Sequence, residues 1–338
     1  MNIQEALKKI TERQDLTGDE MQDVVRQIMT GQITDSMICA FLIGMRMKGE
    51  SIEEITAAAT VMRELVSAVD ISAPHLIDVV GTGGDGSSSF NVSTASAFVA
   101  AAAGAQVAKH GARAASGKCG SADLLEFAGV RMDLEPAQIA QCIRQTGFGF
   151  MLAPAHHTAM RHAIEARREL GVRTIFNILG PMTNPAHVSR ELMGVFSVQL
   201  VEPLAHVLGK LGSEHVLVVS SEDGLDEISC NAPTRVAEMK GGEVNTYSIH
   251  PVQFGVDSHD REEITVASPE ESLTLIRSVF SGEKSPAADM VILNSGAAIY
   301  VSGLTESLTD GISLAHEVVM SGKVSDRFDE FVKLTNSL

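Results

Sequence analysis

The sequence predicts an α/β protein: a small N-terminal helical domain followed by a larger α/β domain with a mainly parallel central sheet. Three observations carry that expectation. Residues 1–70 carry helix signatures and no strand pattern. From Leu76 onward, short apolar runs alternate with helix-length segments, as in sheets covered by helices. At 338 residues the chain is also long enough for two cores.

In the first 70 residues Ile3, Leu7 and Ile10 share one helix face. Thr17-Gly18-Asp19-Glu20 and Ser51-Ile52-Glu53-Glu54 both fit a capping box, in which a hydroxyl and a glutamate satisfy each other's free N–H groups. Between them ITDSMICAFLIGMRMKG is apolar on nearly every side, as a helix is when it fills a core or a subunit contact. Strands are expected at Leu76–Val80, Gln106–Lys109, Phe148–Leu152, Met193–Val198 and His215–Ser220, with helices between them such as Val92–Ala103 and Pro136–Thr146. Thr234–Lys240 and Val244–Ile249, separated by Gly241-Gly242, read as a hairpin. Residues 155–180 are strongly helical and basic, and residues 251–275 read as a surface excursion.

Composition removes several function classes. A formal net charge of −17 has the wrong sign for wrapping nucleic acid, and the absence of Trp removes the best stacking platform for single strands. Cys39, Cys119, Cys142 and Cys230 are far apart with no CxxC pattern, so neither zinc nor a disulfide framework is expected. The N-terminal stretch is a mixed-charge helix without an apolar signal core, and Ala95 to Val107 is too short and too rich in small residues to span a bilayer. A cytoplasmic location with no membrane partner is the expectation.

The most informative stretch runs from Leu76 to Glu126. A buried-strand pattern is followed by Gly81, Gly83, Gly84 and Gly86, then by Asn91-Val92-Ser93-Thr94 at the start of an Ala-rich helix. Glycines let the backbone approach a ligand, and a helix start offers free N–H groups and a positive dipole end to an anion. Between Gly86 and Ala122 there is no Asp or Glu, while Lys109, Arg113 and Lys118 are all present. Two loops thus agree on an anionic, phosphate-bearing ligand. The residues Gly81-Thr82-Gly83-Gly84-Asp85-Gly86 match G-x-G-x-x-G, but no acid follows about 20 residues on, where a dinucleotide site requires one. Ala112 to Cys119 lacks the first glycine of a P-loop and has Cys119 where Ser or Thr holds magnesium.

These motifs, GTGGD, NVST, KHGARAASGK and GSADLLE, together with Gly147-Phe148-Gly149-Phe150, Ala153-Pro154 with His157, Arg173-Thr174-Ile175-Phe176-Asn177, Asn184-Pro185-Ala186, Asp223-Gly224-Leu225-Asp226-Glu227 and Asn294-Ser295-Gly296-Ala297, occur in order along the whole chain. The chain resembles the anthranilate phosphoribosyltransferase family. That resemblance implies magnesium-dependent transfer of a phosphoribosyl group from 5-phosphoribosyl 1-pyrophosphate to the amine of anthranilate, a step of tryptophan biosynthesis. It also implies a homodimer through the helical domain and an active site in the cleft between domains. Residues 160–185 would cross back to residues 1–70, leaving 71–159 and 186–338 as the α/β domain.

Carried over residue by residue, the resemblance puts the ribose and phosphates on Gly81, Gly84, Asp85, Ser89, Asn91, Val92, Ser93 and Thr94. The second loop, Lys109, His110, Gly111, Ala112, Arg113, Ala114, Ala115, Ser116 and Gly117, joins them with Ser121. It puts magnesium on Ser93, Asp226 and Glu227, and Mg2+ is usually held by one or two carboxylates plus phosphates and waters. Without the resemblance an Asp-Glu pair reads more readily as a solvated acidic turn than as a metal site. The acceptor would meet Gly81, His110, Ala112 and Arg167. A carboxylate suits an Arg fork, although Arg161 and Arg168 flank Arg167 on the same stretch. His110 is a candidate general base. Ala112 departs from the family's usual Asn, and losing that amide should weaken acceptor binding by roughly 0.5–1.5 kcal/mol. Cys119 stands where Ser is common. A pyrimidine nucleoside phosphorylase shares the fold, but the doubled acid and the GTGGD loop favour the transferase.

Overall fold

The computed structural model describes residues 1–114, 118–256 and 264–338. Four helices come first: α1 (Ile3–Thr11), α2 (Gly18–Met29), α3 (Asp35–Lys48) and α4 (Ile52–Glu64). Both expected capping boxes form, with Glu20 N–H donating to Thr17 and Glu54 N–H to Ser51. Glu54 is fully buried and does more than cap. It accepts from Leu16 N–H at 2.9 Å and from the Lys48 ammonium at 2.8 Å, tying the loop before α2 to the start of α4.

The sheet region opens with β1 (Leu76–Gly81), α5 (Val92–Ala103), β2 (Gln106–Gly111), α6 (Ser121–Phe127), α7 (Pro136–Thr146) and β3 (Phe148–Leu152). Three shorter helices follow: α8 (Ala153–His156), α9 (Arg161–Leu170) and α10 (Ile175–Leu179). Then come β4 (Arg190–Gly194), α11 (Val201–Lys210), β5 (His215–Ser221) and the hairpin β6 (Thr234–Lys240) and β7 (Glu243–Ile249). The chain closes with α12 (Pro269–Phe280), α13 (Pro286–Ser302), α14 (Leu308–Met320) and α15 (Lys323–Ser337).

The seven strands form one sheet in the order β3-β2-β1-β4-β5-β6-β7. The first five are parallel and the hairpin adds two antiparallel strands at one edge. The winding therefore reverses between β1 and β4, where the loops leaving their carboxyl ends part and open a crevice.

Two large cores flank the sheet. One centres on α5 and α13, where Phe98 stacks on Phe148 at 4.0 Å between ring centroids and meets Phe328 edge-on at 4.8 Å. The other is continuous from the helical bundle into the opposite sheet face: Val24, Ile28, Phe41 and Ala58 join Leu204 and Leu208 of α11 and Val216 and Val218 of β5. α9 packs on α2 and α3, and α10 on α3 and α4. No helix among the described residues is long and apolar enough to cross a membrane.

Two expectations need correction. The fourth strand lies at Arg190–Gly194, three residues before the expected start, because the charged Arg190 and Glu191 are taken into the sheet. Of residues 251–275, 257–263 lie outside the described residues, and 264–275 are not a simple surface excursion. Ile264 and Val266 are buried, Phe90 N–H donates to Ile264 O at 3.0 Å and Val266 N–H to Ser88 O at 2.9 Å. Thr265 thus makes an isolated antiparallel bridge with Ser89, in the chain just before α5.

Candidate active site

At the crevice, the glycine loop after β1 turns through Gly83, Gly84 and Gly86, with φ of +63°, +74° and +78°. These are left-handed conformations that only glycine adopts without strain. Gly83 N–H donates to Asp226 Oδ2 at 2.7 Å, and Ser87 N–H to Asp85 Oδ1 at 3.0 Å. Asp226 reaches this position because Gly81 and Gly194, paired across β1 and β4, lack side chains. A Cβ on Gly81 would stand 2.7 Å from Asp226 Oδ2, and one on Gly194 would fall on the Asp226 carbonyl oxygen.

The start of α5 has no acidic residue in its first turn and no side-chain cap. Ser93 N–H instead donates to Glu227, and the Ser93 hydroxyl accepts from the Lys109 ammonium at 3.3 Å. Lys109 is 2% exposed and also donates to Val79 O. Burial pushes its ammonium down, while Asp78 and Glu227 oppose that shift. Burial raises the Asp226 carboxyl to about 6, with Asp85 adding to the rise. Burial and Asp226 together hold Glu227 well above its usual range, against Lys109. The loop carrying this acid pair is fixed from below by Asn294 of α13, which accepts from Ile228 N–H at 2.9 Å and donates to Ile228 O at 2.8 Å.

The structure therefore gathers Gly81, Gly84, Asp85, Ser93, Lys109, Asp226 and Glu227 at one end of the sheet. Asp85 Oδ2 is buried there without a hydrogen-bond partner. Crowded, desolvated carboxylates with an orphaned oxygen fit a cation. Among the described residues no three His, Cys, Asp or Glu side chains converge to hold a metal by themselves. The site would thus supply one or two ligands and leave the others to substrate and water.

The remaining expected residues are placed as follows. Asn91 links the glycine loop to the second loop: its Nδ2 donates to Cys119 O at 3.1 Å, and its Oδ1 accepts from Cys119 Sγ at 3.0 Å and Ser272 Oγ at 2.8 Å. Ser89 Oγ bonds Ser87 Oγ at 3.1 Å, Val92 is core, and Thr94 Oγ1 is buried without a partner. In the second loop Gly111 is pressed against Ser121 and Phe150, and Ser121 Oγ donates to Ala112 O at 3.4 Å. Ala112 and Ala114 are exposed, and Arg113 is turned to Glu126 and Asp123. Ala115, Ser116 and Gly117 lie outside the described residues.

On the other sheet face His110 is 3% exposed, and its ring bonds the Gly180 backbone. Burial, then His157 and His156, hold its imidazole well below the usual range, so it is neutral at pH 7. Burial lowers His157 to about 4. The two rings are 5.0 Å apart, and both Nε2 atoms are buried without a partner. Arg167 on α9 lies over the Phe176 ring at 5.7 Å. Arg168 pairs with Glu165 at 3.1 Å and Arg161 donates to His162, whereas Arg167 has no carboxylate partner among the described residues.

Sequence reading missed several contributors. Asp78 accepts from His110 N–H at 3.2 Å and from Asn184 Nδ2 at 2.6 Å. Gly194, Phe196 and Arg173 border the glycine loop. An acid in the middle of the first strand was the visible signal for Asp78, and Arg173 stood in one of the motifs quoted above without a role; Gly194 and Phe196 are brought in by tertiary packing alone.

A family model described as "Glycosyl transferase family, helical bundle domain" matches residues 4–66, and one described as "Glycosyl transferase family, a/b domain" matches residues 73–325. The chain is 55% identical over 339 residues to the anthranilate phosphoribosyltransferase of Azotobacter vinelandii, covering 99% of this chain and 97% of the relative. It is 52% identical to that of Thioalkalivibrio sulfidiphilus, with both chains fully covered. Its fold superposes with a TM-score of 0.93 on the crystal structure of the anthranilate phosphoribosyltransferase from Thermus thermophilus, at 40% identity, covering 98% of this chain and 99% of that one. The Saccharomyces cerevisiae enzyme in complex with PRPP and Mg gives a TM-score of 0.90 at 27% identity, covering 99% and 98%. With two-domain architecture, switch-point site and full-length similarity in agreement, the chain belongs to the anthranilate phosphoribosyltransferase family of transferases.

Proposed function

We propose that this enzyme transfers the phosphoribosyl group of 5-phosphoribosyl 1-pyrophosphate to the amine of anthranilate, releasing pyrophosphate, in tryptophan biosynthesis in the cytoplasm. The observation that carries the reading is the gathering of Asp85, Asp226, Glu227, Lys109 and the uncapped start of α5 at one crevice. The Saccharomyces cerevisiae relative in complex with PRPP and Mg supports it. Magnesium, when bound, neutralises the pyrophosphate and eases its departure.

In this reading Ser93, Asp226 and Glu227 hold the metal. The glycine loop, the N–H groups of α5, Asn91, Ser121 and the second loop hold ribose and phosphates. Arg167, free of a carboxylate partner among the described residues, receives the acceptor's carboxylate beside Gly81 and Ala112. The His110 Nε2, neutral and unpartnered, faces the acceptor side as an acceptor for an amine proton. Positioning and fixed charges supply the acceleration, with no covalent enzyme nucleophile. The helical unit, residues 1–70 with 160–185, forms the second wall of the cleft against 71–159 and 186–338; the packing of α9 and α10 on α2, α3 and α4 supports that division.

The test is direct. Protein, the pyrophosphate donor, magnesium and anthranilate are mixed, and loss of anthranilate fluorescence is followed. The double variant Asp226→Asn with Glu227→Gln should lose turnover by at least about a thousandfold, as for loss of a charge-stabilising element, while keeping its circular dichroism. Full activity in that variant would remove the metal assignment. Ala112 favours a second reading, transfer to a ring-substituted anthranilate; turnover of such a compound with anthranilate itself inert would select it.

A further inference from the structure

Arg173, between α9 and α10, reaches across to the glycine loop. Its guanidinium donates to Gly84 O and lies over the Phe196 ring, 4.1 Å from the centroid. A Cβ on Gly84 would stand 3.5 Å from Arg173 Nε and 3.6 Å from Nη2, so the guanidinium is seated against the Gly84 α-carbon itself. Phe196 is placed by the loop it serves, since its N–H donates to Thr82 Oγ1 at 3.1 Å. The Arg173 carbonyl in turn accepts from Arg46 of α3. A chain of contacts thus runs from the N-terminal helices through Arg173 to the turn of the glycine loop. Asp226 grips the same loop one residue earlier, at Gly83 N–H.

We infer that Arg173 is a positioning residue that pins the glycine loop in its substrate-ready conformation and couples that loop to the helical unit. The reason is physical. Gly83, Gly84 and Gly86 in sequence give a backbone with many accessible states, and a loop that must present its N–H groups to phosphates works best when those states are already removed. One charge-assisted hydrogen bond to a carbonyl, from a guanidinium seated over an aromatic ring, removes them at Gly84. The residue itself touches no reacting atom in this scheme. The inference builds on the proposed donor site, so its test has one arm that needs no substrate.

In that arm, amide hydrogen exchange is measured on unliganded wild type, Arg173→Ala and Arg173→Lys. Exchange across residues 82–87 should be faster in Arg173→Ala and intermediate in Arg173→Lys, which keeps a donor but not the guanidinium fork. Exchange within α5 and the thermal midpoint should be unchanged. In the second arm the KM for 5-phosphoribosyl 1-pyrophosphate should rise about ten- to a hundredfold in Arg173→Ala, the worth of one charge-assisted hydrogen bond. The kcat and the anthranilate KM should stay within about twofold. Unchanged exchange across 82–87 would overturn the inference. So would a KM rise confined to anthranilate, which would make Arg173 an acceptor ligand, or a lowered midpoint with equal loss for both substrates, which would make it merely structural. If wild type proves inactive with this donor while Arg173→Ala still loosens the loop, the pin stands and the substrate assignment falls.

Discussion

Glu191 is 2% exposed in the middle of the sheet, opposite Asp78 in the β1–β4 register, and its Oε1 has no partner. Burial first, then the Asp78 charge, hold its carboxyl well above 4.5, with Arg63 opposing. A folded-state value raised above the unfolded one contributes stability that is full at low pH and lost as pH rises through the folded value. Glu191 should therefore tilt unfolding free energy downward with rising pH above about 5, by at most about 1.4 kcal/mol per pH unit. Glu191→Gln, which keeps the shape without the charge, should flatten that limb and leave the protein more stable than wild type at pH 8, as read by denaturant titration at several pH values. Reading the sequence could not separate Glu191 from a surface acid, because nothing in Arg190-Glu191-Leu192 says that the strand begins there. The glycines of the site divide in the same way. Gly81, Gly83 and Gly84 stand together and announce a loop, whereas Gly194 is an isolated residue whose need for no side chain arises only when Asp226 packs on it.

Among the elements, the hairpin β6–β7 pairs with β5 along its backbone and is tied further by one carboxylate, that of Glu238. Burial alone would raise Glu238, but hydrogen bonds from His215 at 2.8 Å, Tyr300 at 2.7 Å and Tyr247 at 3.0 Å prevail and lower it to about 2. Both tyrosines of the chain thus converge on one side chain, joining β5, β6, β7 and α13. A depressed carboxylate contributes stability that is present above its unfolded value, 4.5, and lost as pH falls through about 2. Glu238→Gln should cost about 2–3 kcal/mol near pH 7, and the gap to wild type should close between about pH 5 and pH 2 when both are unfolded by denaturant. Elements bounded by strong signals were legible to the residue: α7 starts at Pro136 and stops at Gly147, and β3 follows as a short apolar run. The segment around Ile264 was not legible. Its pairing with Ser88 to Phe90 is non-local, and its three or four residues are too few to show a period.

At the scale of the whole molecule, α3 buries Ile38, Phe41, Leu42 and Met45 inward, while Met47 on its other side is 73% exposed. The family resemblance, rather than this one exposed side chain, is the ground on which we propose a homodimer through the helical domain, with α3 as its test site. Met47→Glu should shift sedimentation from dimer to monomer with circular dichroism unchanged; a wild type that sediments as a monomer would refute the dimer. The glycine loop and the second loop, proposed here to hold the donor, stood out in the sequence because glycines, hydroxyls and a missing negative charge are local properties. The proposed acceptor side rests on the resemblance, since Arg167, without a carboxylate partner among the described residues, looks in sequence like Arg161 and Arg168. The sheet, finally, ends on β7, whose residues Glu243, Asn245, Thr246 and Ser248 are all exposed. Strands that finish a sheet invite foreign chains to add themselves in register, and a polar, charged border discourages it. Crowded copies of this molecule meeting rim to rim would have to strip water from that border, so β7 guards against runaway fibre growth.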